Sequence, residues 1–102
     1  MSVLMTLRVT GDGAAVEKLG ADEAGLFEGV IAAAKERGLI SHHFFGSDTE
    51  VLVVDEWPDE QSFQSFFEEA GPAIGRIMGA AGVTSEPSVE FWRHLDVGDE
   101  VG

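Results

Sequence analysis

Three histidines, one strand arginine and a strand glutamate are the side chains of this protein whose types suit proton chemistry, and strand alternation decides which of them can meet. Residues two apart on a strand share a face. If Val3, Met5, Leu7 and Val9 turn toward the helices, Thr6 and Arg8 are left for the opposite face. On a later strand Val89, Phe91 and Leu95 suit the helices, leaving Glu90, Trp92 and His94. His42 and His43 are neighbours on a strand and must point to opposite faces. His43, with Phe45, is the one assigned to the cavity, because His42 then shares a side with Ile40 and Phe44; the reverse assignment stays open. The face away from the helices is expected to line the cavity. Thr6, Arg8, His43, Phe45, Glu90, Trp92 and His94 would then give it an aromatic wall and groups that bind and move protons. An imidazole, with an ordinary pKa of about 6.5, is a natural general base for a phenolic or enolic proton, and Arg8 could hold the resulting anion.

The same residues admit an ordinary structural reading, as salt bridges at the edge of a sheet with Arg8 paired to Glu90. Metal binding is not expected: there are three histidines and many carboxylates, but no His-Glu-x-x-His spacing, and the adjacent His42 and His43 cannot chelate one ion. Gly11-Asp12-Gly13 lacks the spacing and the basic residue of a phosphate loop, and nothing resembles a nucleophile elbow. Trp57, at a strand end beside a turn, reads as packing under the next helix. Phe63, Phe66 and Phe67 read as core at helical spacing, with Phe66 the one assigned to a ligand.

Period-two alternation from Val3 to Val9 predicts the first strand, broken by Gly11-Asp12-Gly13. A helix is predicted from an Asp22 N-cap to Arg37, stopped by Gly38, with Phe27, Val30, Ile31 and Ala34 as its stripe. Residues 14–19 form either a short helical turn or a loop. Leu39 to Phe45 and Thr49 to Trp57 are predicted strands joined as an antiparallel hairpin across Gly46 to Asp48. Asp59 caps a second helix whose stripe (Phe63, Phe66, Phe67, Ala70, Ile74, Ile77, Met78) keeps phase across Gly71-Pro72, predicting a kink or two abutting helices. Ser88 to Leu95 is the fourth strand. The order is β-α-β-β-α-β, an α+β, ferredoxin-like arrangement with a four-stranded antiparallel sheet. Residues 1–96 are expected as one domain and 97–102 as an acidic, frayed tail.

Two helices cover only one face of such a sheet. Leu4, one row of Val51 to Val54, and Trp92 remain on the other, and an apolar patch of that kind usually marks association. A second copy is the economical cover, so a homodimer is expected. Six Lys and Arg against 19 Asp and Glu give a net charge of -13, which argues against nucleic acid or an anionic membrane as partner. With no cysteine, disulfides, thiolate metal sites and cysteine nucleophiles are excluded. No targeting or membrane-spanning run is evident, and a cytoplasmic setting is the default.

The element order, Gly38-Leu39-Ile40 at the opening of the second strand, and Asp55-Glu56-Trp57-Pro58-Asp59-Glu60-Gln61-Ser62-Phe63 resemble the antibiotic-biosynthesis-monooxygenase family of dimeric α/β barrels. There a strand ends in acid-x-Trp and a short turn opens a helix with an aromatic about six residues on. The resemblance spans roughly Met1 to Leu95. It implies a dimeric barrel and monooxygenase-like chemistry with no cofactor, on an aromatic or otherwise apolar small molecule bound between sheet and helices. Haem-degrading members use an Asn, a Trp and a His; this chain has no Asn, and carries Phe66, Ile77 and Met78 where the other two would stand. Members that oxidise aromatic polyketides use an Asn, a Trp, a Tyr and an Arg, and this chain also has no Tyr. Other groups must therefore act: His43 or His94 as base and Arg8 for the anion, with Thr6, Phe45, Phe66, Glu90 and Trp92 around the substrate. The alternative is a non-catalytic small-molecule-binding or interaction protein on the same fold, or more remotely an isomerase or cyclase.

Overall fold

The alternating run at the start of the chain forms β1 (Val3–Thr10), which becomes the second strand from one edge of the sheet. In the computed structural model, which describes residues 1–102, it is followed by α1 (Gly13–Asp22), α2 (Ala24–Glu36), β2 (Ser41–Gly46), β3 (Glu50–Trp57), α3 (Glu60–Ala80) and β4 (Ser88–Trp92). The strands pair antiparallel in the order β2-β3-β1-β4, the ferredoxin-like arrangement with its first helical region divided in two. No helix is long and apolar enough to cross a membrane.

That division departs from the expected single helix from Asp22. Residues 13–22 form a full helix, because Asp12 caps it with Oδ1 accepting from the Ala14 N–H at 2.9 Å, and Val16, packed on the core, gives it an inward side. Asp22 is therefore the last residue of α1 rather than a cap. The chain turns at Glu23, which starts α2 with no side-chain cap bond.

β1 buries Met5, Leu7 and Val9 on the face toward the helices, as alternation requires. α3 lays Phe63, Phe66 and Ala70 over the same face and runs unbroken across Pro72. Pro72 is exposed, so the carbonyl that loses its helical partner faces solvent, and the apolar stripe is undisturbed. The Asp59 cap is in place: its Oδ1 accepts from the backbone N–H of Ser62 at 2.7 Å and from its hydroxyl at 2.8 Å. Trp57 is the anchor of the core, fully buried with its ring centroid 5.7 Å from Phe63 and 5.3 Å from Phe66.

The second and fourth strands are shorter than expected. β2 begins at Ser41, with Ile40 contributing one backbone bond to Glu56 at 2.9 Å. β4 ends at Trp92, whose partner Leu4 stands one residue from the start of β1, so the following residues have no strand left to pair with. Leu95, expected toward the helices, is consequently 59% exposed. Gly38 has φ +97, and a Cβ there would lie 2.9 Å from Pro58 Cγ. This glycine both stops α2 and lets the chain pass close to the end of β3.

Candidate functional site

Between the sheet and the helices lies a cavity of about 110 Å³. Strands β1 and β3 supply its floor, α2 and α3 its roof, and Phe44 of β2 one side. Of its 22 lining residues 20 are hydrophobic, and the two exceptions, His42 and Asp55, are bonded to each other. The pairing follows from the hairpin. Gly46 pairs with Val51, and four steps away from the turn on each strand set His42 opposite Asp55, which in turn lies beside Met5 on the helix-covered face.

Asp55 is 5% exposed, and a carboxylate so placed is costly unless donors replace its water. Both oxygens are provided for. Oδ1 lies 2.7 Å from His42 Nδ1, and Oδ2 accepts from Trp57 Nε1 at 3.1 Å. The Asp55–Trp57 bond is possible because residues two apart share a face, which gives the acid-x-Trp spacing a physical role. No buried side-chain polar atom lacks a partner.

A carboxylate can only accept, so His42 Nδ1 carries the hydrogen and Nε2 keeps a free lone pair. The imidazole is held edge-on against Phe44, with ring centroids 5.0 Å apart, and Phe44 is edge-on to Phe27 of α2 at 6.0 Å. Only 24% of the His42 side chain is exposed. The result is a base of defined tautomer, oriented by a carboxylate that would stabilise the imidazolium once a proton is taken. No Lys or Arg lines the cavity, and no three His, Asp or Glu side chains converge as metal ligands anywhere in the chain.

The residues assigned to the cavity from the sequence do not gather there. Thr6, Arg8, His43, Phe45, Glu90 and Trp92 share the opposite, helix-free face, as the strand register requires, and His94 lies beyond β4. Of that set only Phe66 lines the cavity. Within the strands the residues fall on the faces that alternation sets, Leu95 and His94 lying past the end of β4, but the apolar cavity lies on the helix side, which brings His42 to it and turns His43 away. On the open face Trp92 Nε1 donates to Thr6 Oγ1 at 2.9 Å, and His43 lies beside Phe45 at a centroid distance of 6.4 Å. Arg8 pairs with Glu50 at 3.5 Å rather than with Glu90, whose register partner is Thr6. His94 Nε2 lies 3.1 Å from Glu100 Oε1. Asp55, noted from the sequence only as part of the acid-x-Trp pattern, joins the candidate site; the signal for it is the hairpin register, which pairs it with a histidine.

No protein-family model matches the chain, and no curated protein is similar to it in sequence. Solved structures do match. SnoaB, a cofactor-independent oxygenase from Streptomyces nogalater, solved as a mutant, is 17% identical over 97% of this chain and 98% of its own, with a TM-score of 0.63. A monooxygenase from the gene ActVA-Orf6 of Streptomyces coelicolor, solved with the ligand nanaomycin D, is 17% identical over 97% of this chain and 92% of its own, with a TM-score of 0.67. A dimeric ferredoxin-like protein from an uncultured marine organism is 12% identical over 98% of this chain and 93% of its own, with a TM-score of 0.66. A putative antibiotic biosynthesis monooxygenase from Deinococcus radiodurans is 12% identical over 98% of this chain and 99% of its own, with a TM-score of 0.65. At these identities the likeness is one of fold, and at that level the resemblance to the antibiotic-biosynthesis-monooxygenase proteins holds.

Proposed function

We propose that this chain is a cytoplasmic, homodimeric, monooxygenase-like protein that needs no organic cofactor and binds an aromatic or otherwise apolar small molecule between its sheet and helices. The observation that carries this reading is an apolar cavity whose sole polar group is the His42–Asp55 pair. The likeness of fold to two oxygenases supports the reaction class. The homodimer is supported by the open sheet face, where Leu4, Phe45 and Trp92 are exposed beside the half-buried Leu52 and Val54.

In this reading His42 Nε2 takes the proton of a hydroxyarene, and Asp55 compensates the imidazolium. The electron-rich ring carbon then passes an electron pair to dioxygen, forming a carbon–oxygen bond to a peroxide anion, which takes the proton back from the His42 imidazolium to become a hydroperoxide. Loss of water breaks the O–O bond and leaves a carbonyl. The carbon bearing hydrogen ends as C=O, one oxygen atom enters the product and the other leaves as water. Four electrons leave the substrate and four reduce dioxygen, so no external reductant is needed. The test is oxygen uptake with a panel of hydroxyarenes. One dioxygen consumed per quinone formed, lost in His42→Leu, supports the reading; product formation unaffected by that substitution sinks it. The second reading, a non-catalytic binding protein, is favoured by the lack of any cation in the cavity to hold a substrate anion. It predicts a ligand retained unchanged under air.

A further inference from the structure

From the size and polarity of the cavity we infer which ligands it selects: a single-ring, uncharged compound carrying one hydroxyl, whose hydrogen is received by His42 Nε2. This rests on the reading of the cavity as the ligand site. Size comes first. A protein cavity of about 150 Å³ accepts a benzene ring, and this one measures about 110 Å³. Met78, an unbranched and adaptable lining side chain, is the one suited to yield that difference when a ring enters. A fused second ring would require α2 or α3 to part from the sheet, because the remaining wall is the aromatic and aliphatic core itself.

Polarity sets the other limits. Each Asp55 oxygen already accepts a bond, one from His42 and one from Trp57, so the pair's acceptor with no partner at all is His42 Nε2. Its negative charge stands at the cavity wall with no Lys or Arg beside it, so a carboxylate ligand meets repulsion and loses its water without recompense. The one remaining polar atom is His42 Nε2, whose tautomer makes it an acceptor. A hydroxyl satisfies it; a methyl ether or a bare hydrocarbon leaves it unpaired. The expected order of affinity is phenol above anisole and toluene, with benzoate excluded.

Calorimetric titration of the purified protein with phenol, anisole, toluene, benzoate and 2-naphthol tests this. Phenol should bind about tenfold tighter than anisole or toluene, the worth of one hydrogen bond. Benzoate should show no saturable binding, and 2-naphthol should bind more weakly than phenol. In His42→Leu, phenol should fall to the level of toluene while toluene is unchanged. Asp55→Asn, which moves the imidazole hydrogen to Nε2, should erase the preference for phenol over anisole, because either oxygen can then accept from Nε2–H, and it serves as a second variant. Equal affinity for phenol and anisole, saturable binding of benzoate, or tighter binding of 2-naphthol overturns the selectivity while leaving the cavity as a ligand site. If none of the five binds, the cavity reading falls and this inference with it.

Discussion

Asp55→Asn isolates what the buried carboxylate does, because it removes the charge while keeping shape. Two donors converge on Asp55, from His42 Nδ1 at 2.7 Å and Trp57 Nε1 at 3.1 Å. Asparagine has one accepting oxygen and one donating nitrogen. The indole N–H can only donate and is fully buried, so the oxygen must serve Trp57 and the amide nitrogen must face His42. Imidazole accommodates this by shifting its hydrogen from Nδ1 to Nε2. Both bonds survive but change from charge-assisted to neutral, a loss of about 1–3 kcal/mol in total. A domain of this length is stable by roughly 5–15 kcal/mol, so the variant stays folded. Turnover should fall by about 10²–10⁴, the usual worth of a positioned base, since Nε2 no longer has a lone pair. Nitrogen NMR of the imidazole reads the tautomer, urea denaturation the stability, and oxygen uptake the turnover. An Nδ1–H tautomer persisting in the variant, with turnover and stability unchanged, would refute the role assigned to Asp55.

Gly38→Ala should destabilise the fold by about 1–3 kcal/mol in urea titration, because φ is +97 and the new Cβ would meet Pro58 Cγ at 2.9 Å; an unchanged midpoint contradicts the close approach. Asp59 is held below its ordinary value of 3.8, chiefly by the backbone N–H of Ser62 and then by the Ser62 hydroxyl. Its contribution is therefore fully present above 3.8 and is lost as pH falls through the lower folded value. Asp59→Ala should lower the melting temperature by a few degrees at neutral pH, with the difference from wild type closing in acid; a constant gap down to about pH 2 contradicts the cap. Trp92→Glu, at a position 48% exposed on the open sheet face, should convert the proposed dimer to monomer by light scattering. A dimer that persists would place the association elsewhere.

Much of the fold was legible because its signals are local. Alternation along β1 and the three-and-four spacing of α3 each report one face of one element, and the Asp59 cap and the Gly38 stop depend on their nearest neighbours. The exceptions have local causes too. α1 is ambiguous in sequence because glycines flank its single inward valine, and Pro72 hints at a break that its exposed position spares the helix. The candidate site was legible only in part: Phe66 lines the cavity as assigned, whereas the base was assigned to His43 or His94, neither of which reaches it, and the pairing of His42 with Asp55 depends on strands that meet across the hairpin.

Which residues share a face is settled by chain order alone, since it follows from backbone geometry over a few residues. It separated His42 from His43, and it set Thr6, Arg8, Glu90 and Trp92 apart from Met5, Leu7 and Val9. Where the apolar cavity lies is a matter of three-dimensional packing. That depends on how far the helices stand from the sheet once their large side chains have met, a property of the packed whole. That packing also decided that His42 and Asp55, thirteen residues apart, would bond at 2.7 Å. The hairpin sets them opposite each other, and the helices covering that face remove the water that would otherwise have come between them.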